Sequence, residues 1–341
     1  MAFTSATPYA HHGERWAAAS ASFGGMEAMG AVELFAIDFL QALITGLLVG
    51  GTYALMCVGL GMIFGVMRVV NFAQGDFFML GMYAAYYVAT ALGVMAVLGP
   101  YVGPVVAGLL AGPIVFAVGW LLHRFLVGRV TGVAAVGAEG DGHYAQIILT
   151  LGIALVLQNG GLILFGSLPL SVPTPMSRES WELGEFLINQ ARAVSFAVAI
   201  VVALLLYLFL KRTTLGKSMR AAADNAEAAL YMGIDVDRCH RTAFALGCGV
   251  TAIAGGLIAS SQSFQPYIGF DFVITMYAGV VLGGLGSILG AFWGGMTIGL
   301  VQQMSTLVLP FQLQNTAIFV VFLLIVFFRP HGMFGRSAER T

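Results

Sequence analysis

Long apolar runs separated by short polar stretches dominate this chain. Crossing the hydrocarbon core of a bilayer takes about 20 apolar residues, and runs of that order fall at 40–66, 77–98, 101–123, 145–166, 193–210, 241–261, 272–286, 288–308 and 313–328. The run at 272–286 is short and rich in glycine, which predicts a broken or half-membrane helix there. The pattern therefore predicts an all-α, polytopic membrane protein with eight or nine transmembrane helices.

Composition agrees with the pattern. Of 341 residues, 59% are hydrophobic and only 9% charged, with mean hydropathy +0.91, whereas a soluble chain carries about 25% charged residues. A soluble domain is excluded. The net charge of -1 leaves no basic patch for nucleic acid. Cys57, Cys239 and Cys248 are odd in number and not spaced as metal ligands, so no disulfide framework or zinc site follows. The first 38 residues are rich in Ala and Ser, mix His11, His12, Glu14 and Arg15, and lack the apolar core of a signal peptide. They read as an N-terminal tail, with Met26 and Met29 as alternative starts.

Cytoplasmic loops hold the excess of Lys and Arg in membrane proteins. With nine crossings and the C-terminus inside, Arg68, Arg124, Arg129, Lys211, Arg212, Lys217, Arg220, Arg238, Arg241, Arg329, Arg336 and Arg340 fall on the cytoplasmic side. Only Arg15, Arg178 and Arg192 fall outside, a ratio of twelve to three. This orientation places the N-terminus in the periplasm, a loop at 167–191 in the periplasm, and a loop at 211–240 in the cytoplasm. The membrane domain spans 39–330, and 331–341 form a cytoplasmic C-terminal tail.

Glycines recur at four-residue spacing, as in Gly46 and Gly50, Gly61 and Gly65, and Gly286, Gly290 and Gly294. That spacing lets helix backbones approach closely in lipid. A short internal similarity links Asp76-Phe77 followed by Met82-Tyr83-Ala84 with Asp271-Phe272 followed by Met276-Tyr277-Ala278. It points to two pseudo-equivalent halves, an organisation in which solute binds between the halves near broken helices.

The cytoplasmic loop contains Gly216-Lys217-Ser218-Met219-Arg220-Ala221-Ala222-Ala223, followed by Glu227-Ala228-Ala229-Leu230-Tyr231-Met232-Gly233-Ile234. Its alanines favour helix, and Gly233 is suited to end it. Met219, Ala222, Ala226, Ala229 and Leu230 would share one face. A short helix with such a small-residue face fits a cleft on a cytoplasmic partner, with Glu227 at the rim. An amphipathic helix lying on the membrane surface is the plainer alternative.

This loop resembles the E-A-A coupling segment of ABC-importer permeases. Gly233-Ile234-Asp235-Val236-Asp237-Arg238, ahead of Phe244-Ala245-Leu246-Gly247, is similar to the branched-chain amino-acid branch of that family. So are Thr52-Tyr53-Ala54-Leu55, Val70-Asn71-Phe72-Ala73-Gln74-Gly75-Asp76, Pro266-Tyr267-Ile268-Gly269-Phe270, Val281-Leu282-Gly283-Gly284-Leu285-Gly286-Ser287 and Arg329-Pro330-His331-Gly332. The resemblance covers roughly residues 40–336. Gln74 departs from it, because the family usually has His there.

The resemblance implies a permease subunit of the bacterial inner membrane, working with a second related permease, two cytoplasmic ATPases and a periplasmic solute-binding protein. Arg220, Glu227, Ala228, Ala229 and Gly233 would couple to the ATPase, which would bind ATP and Mg. This chain has no G-x-x-x-x-G-K-[ST] sequence and no catalytic constellation. It is therefore expected to be non-catalytic, with no cofactor or metal of its own and with lipid as its surroundings.

Asn71, Gln74, Asp76 and Asp271 are polar residues beside expected helix breaks, and they are candidates to line the solute path. Asp76 and Asp271 are also suited to cap the helices that follow them. Nearly charge-free spans suit a solute without large net charge, such as a branched-chain or other hydrophobic amino acid. Urea, short amides and small carboxylates are alternatives. An ion-coupled secondary transporter, with Asp76 and Asp271 titrating in the membrane, is a rival of another class, and a non-transporting scaffold is a third.

Overall fold

A computed structural model describes residues 27–130, 141–310, 313–329, 332 and 333. The tail up to residue 26, Pro330, His331, and the terminal segment with Arg336 and Arg340 lie outside the described residues. The helices are α1 (Glu27–Met67), α2 (Gln74–Thr90), α3 (Val94–Phe125), α4 (Asp141–Phe165), α5 (Gln190–Arg212), α6 (Thr214–Asp224), α7 (Ala226–Tyr231), α8 (Val236–Ile258), α9 (Ile268–Gly283), α10 (Ile288–Ser305) and α11 (Gln314–Phe328). Five of them, α1, α3, α4, α5 and α8, are long and apolar enough to cross a membrane, and α9 and α11 are shorter apolar helices. The protein is an all-α polytopic membrane protein.

One small hairpin interrupts the helices. Strands β1 (Ser180–Leu183) and β2 (Phe186–Asn189) pair antiparallel across a turn at Gly184. The Gln41 amide of α1 brackets the hairpin, donating to the Leu187 carbonyl at 2.7 Å and accepting from its N–H at 3.1 Å. Helix α1 is 41 residues long, about 60 Å at 1.5 Å per residue, twice the roughly 30 Å hydrocarbon thickness. Its first turns lie in the stretch expected to be tail, so the helical body begins at Glu27 and not near residue 39.

Helices α1 and α8 are the centre. Within the apolar windows, 78% of residues are buried in each, against 22% in α4 and α5. The outer helices expose Ile148, Leu155, Ile163, Leu204 and Leu205, as a lipid-facing or subunit-facing wall requires. The four-residue glycine pattern serves packing. Gly46 and Gly50 lie against Leu300 and Met296 of α10, and Gly290 and Gly294 lie against Gly283 and Gly279 of α9.

Two further boundaries differ from the sequence reading. The run at 77–98 is not one helix, because α2 stops at Thr90 and Gly93 adopts a left-handed φ of 70°. Within α3, Gly99 (φ 80°, ψ 170°) kinks the chain ahead of Pro100, whose ring disfavours helical geometry in the residue before it. The loop at 211–240 is likewise not one helix. Asn225 sits between α6 and α7 in extended conformation, and its side chain accepts from the Ala228 N–H at 2.9 Å. That bond caps α7 and ends α6.

The half-membrane helix expected near 272–286 is α9, and α2 is its counterpart. They hold 16 and 17 residues, about 25 Å each, too short for the core. Non-helical segments precede both, and their N-termini touch where Gly75 meets Gly269. Helix α2 then follows α8 toward its C-terminal end, with Gly81 against Ala252 and Gly256 against Ala85. Helix α9 leaves in the opposite sense, reaching Gly283 near the C-terminus of α1, where Gly65 lies beside Gly286. Two half-helices that start together and diverge are the architecture expected of inverted halves.

Candidate functional site

The half-helix crossing holds three of the polar residues singled out from sequence. Asn71 and Gln74 have no exposed surface and Asp76 is 2% exposed. Asn71 accepts from the Ala73 N–H at 3.2 Å and donates to Gln74 Oε1 at 2.9 Å. Gln74 Nε2 donates to the Thr251 hydroxyl at 2.6 Å and to the Gly247 carbonyl at 3.2 Å. The side chain thus ties the start of α2 to the middle of α8.

Neither aspartate is a helix cap. Helix α2 starts two residues before Asp76, and its cap position, Ala73, makes no side-chain bond. Helix α9 begins at Ile268 behind Tyr267, which makes none either. Both carboxylates sit inside first turns, where the helix dipole favours negative charge. Their surroundings differ, however. Asp76 is enclosed, with Oδ1 unpaired and Gln158 of α4 within reach of the carboxyl group, while Asp271 is exposed and lines a cavity.

That cavity is the second element of the site. A pocket of about 300 Å³ lies between α1, α5, α10 and α11, lined by Thr52, Tyr53, Arg192, Gln302, Gln303 and Gln314 among others. A second, also about 300 Å³, lies beside α9 and is lined by Asp271, Phe272, Thr275 and Asn315. The two share Tyr53, Gln262, Gln302 and Gln314. A wider cleft of about 680 Å³, between 171–179 and 260–263, adjoins them through Gln262. The three form one polar vestibule on the side of the 167–191 loop. Phe272 closes its inner wall, packing at 4.4 Å on Phe78 and at 5.9 Å on Tyr53, next to the crossing.

Asp271, a candidate from sequence, lines this vestibule, whereas Tyr53, Arg192, Gln262, Gln302 and Gln314 were not singled out. A signal existed for Gln302 and Gln303, two amides inside an apolar run, which lipid tolerates poorly. No local signal marks Gln262 or Gln314, because they lie at helix ends where polar residues are ordinary.

The third element is the α6–α7 pair. Met219, Ala222 and Ala229 are buried against the protein's own body, so the small-residue face points inward and not toward a partner. Glu227, Ala228, Leu230, Tyr231 and Met232 are exposed instead. Arg220 is exposed on α6, its guanidinium 3.5 Å from the Lys211 carbonyl. Gly233 has φ 79°. Its N–H donates to the Leu230 carbonyl at 2.9 Å, and the Ile234 N–H donates to Ala229 at 3.0 Å. This pair of bonds is the Schellman ending, which requires a left-handed residue at this place. Two residues later Asp235 caps α8 by accepting from the Arg238 N–H at 2.9 Å. The exposed α7 is thereby joined to the central helix by a short, fully bonded corner.

Comparison with known proteins bears on what this arrangement serves. A family model described as branched-chain amino acid transport system / permease component matches residues 42–328. The high-affinity branched-chain amino acid transport system permease protein LivH of Escherichia coli K12 is 29% identical over 87% of this chain and 96% of its own length. BraD of Pseudomonas aeruginosa, a permease protein of the same description, matches to the same extent. A probable branched-chain amino acid transport permease protein LivH of Methanocaldococcus jannaschii is 29% identical over 74% of this chain and 76% of its own. No solved structure matches the chain significantly.

Proposed function

Because the chain belongs to the branched-chain amino acid transport system / permease component family, we propose that it is the membrane permease of an ATP-driven importer of branched-chain or other hydrophobic amino acids. The observation that carries this reading is the match along 42–328, which runs from α1 to the end of α11 and includes the coupling helices. The partners in this reading are a second related permease, two cytoplasmic ATPases that hold ATP and Mg, and a periplasmic binding protein. The chain itself performs no hydrolysis. Its N-terminus lies in the periplasm and its C-terminus in the cytoplasm, as the twelve-to-three distribution of Lys and Arg supports.

In mechanism, the vestibule receives the solute from the periplasmic side, and the α2–α9 crossing with Asn71, Gln74 and Asp76 is the closed gate beneath it. Closure of the ATPases moves α7, whose exposed end carries Glu227, Leu230, Tyr231 and Met232. The Gly233–Asp235 corner passes that movement to α8, and Arg68 Nη2, 3.4 Å from the Ala223 carbonyl, links α6 to the end of α1. Because Gln74 is bonded to α8, a shift of α8 reaches the gate directly. Two packings of these helices, outward-facing and inward-facing, make a two-state element that ATP biases.

The test is reconstitution in liposomes. The chain with its partners is expected to accumulate leucine only with ATP inside and loaded binding protein outside. Leucine uptake by this chain alone, driven by an ion gradient, would show a secondary transporter instead. Urea or a short amide taken up in place of leucine would change the solute and keep the machine.

A further inference from the structure

We propose that the vestibule is a recognition site for a dipolar ion, in which Arg192 of α5 holds the α-carboxylate of an amino acid and Asp271 of α9 holds its α-ammonium. The proposal rests on the amino-acid importer reading above and adds where this chain touches its solute. It starts from Arg192, which is placed against two electrostatic rules. It sits in the first turn of α5, where the positive end of the helix dipole disfavours a cation. It also falls on the face that holds few Lys and Arg. No carboxylate among the described residues pairs with it. A cation kept there despite these costs, on a cavity wall beside Tyr53 and Ser195, is suited to meet an anion arriving through the cavity.

Asp271 supplies the opposite pole. It lines the adjoining chamber, is exposed, and also lacks an ion partner among the described residues. A fixed anion and a fixed cation in adjoining chambers that share one wall, without neutralising each other, match a zwitterion, which carries both charges. The shared wall of Tyr53, Gln262, Gln302 and Gln314 offers amide and phenol groups that hydrogen-bond either charge. Leu48, Val49 and Ile258 line the Arg192 chamber and Phe272 the other, so an aliphatic side chain has apolar contacts on either side. A simple carboxylate would leave Asp271 unmatched, and a neutral amide would match neither charge. The site therefore selects against both.

The experiment uses the complete importer in nanodiscs and liposomes, with leucine-loaded binding protein at saturation. Arg192→Gln and Asp271→Asn should each lower leucine turnover roughly tenfold or more, the loss expected for one charged hydrogen bond. Arg192→Lys, which keeps the charge but not the planar fork, should lose less turnover than Arg192→Gln. Stimulation of ATP hydrolysis by the binding protein should persist in all three, which separates solute contact from docking. Turnover that falls together with this stimulation would make Arg192 and Asp271 docking residues and overturn the proposal. So would neutral variants that transport at the wild-type rate. A wild-type complex that imports no amino acid would overturn the importer reading as well, which distinguishes the two failures.

Discussion

The amide of Gln74 and the hydroxyl of Thr251 meet at 2.6 Å, and neither side chain has any exposed surface. This bond fixes where α2 begins relative to α8, and with Asn71 it forms a closed set of side-chain bonds at the half-helix crossing. Gln74→Leu would strip Asn71 and Thr251 of a partner in a buried place, at about 2–5 kcal/mol in total. A neutral histidine offers one donor and one acceptor, so Gln74→His keeps at most two of the three bonds and is expected to cost less. Thermal unfolding of Gln74→Leu, Thr251→Val and the double variant in detergent checks the pairing. Strict additivity of the two losses would show that the bond contributes nothing.

Gly75 and Gly269 should not tolerate a larger residue. A Cβ on Gly75 would overlap the Gly269 carbonyl, and one on Gly269 would come within 2.8 Å of the Gly75 backbone. Neither neighbour is a flexible side-chain end, so Gly75→Ala or Gly269→Ala must part the two half-helices. Loss of membrane abundance or of thermal stability by several degrees is expected. Gly152 and Gly160 on α4 have nothing within 4 Å, and Ala there should stabilise by about 0.5–1 kcal/mol through helix propensity. Equal tolerance at both pairs of sites would contradict the crossing.

At the corner between α7 and α8, Gly233→Val forces a β-branched residue into φ 79°, costing about 1–3 kcal/mol locally, and Glu227→Lys reverses an exposed charge. Both sites are open, so insertion should be normal. The expected result is weakened co-purification of the ATPase and slower uptake. Retention of both in the two variants would remove α7 from the coupling path.

Orientation is open to direct chemistry. Cys57, Cys239 and Cys248 are buried, so a cysteine introduced at exposed Lys217, Arg238 or Trp181 stands out against a quiet background. In intact cells an impermeant maleimide should label position 181 and should reach 217 and 238 only after permeabilisation. Labelling of 217 from outside would invert the topology.

Sequence alone determined the helical membrane body, because a span long enough for a bilayer must be a continuous apolar run, and such a run is local information. The approximate helix limits followed from it, as did the short α9 and the glycine ending at Gly233, each set by residues within one or two turns. The E-A-A segment was legible too, although its face was not. Which side of α6 and α7 is buried depends on where α8 and α1 stand, so Met219, Ala222 and Ala229 turned inward. Only the tertiary structure decided that Asp76 and Asp271, alike in sequence, part company at the crossing, one enclosed and one lining the cavity. It alone gathered Tyr53, Arg192, Gln262, Gln302 and Gln314 from five separate segments. A cavity wall is made by long-range packing, and no residue's immediate neighbours record which distant side chains will face it.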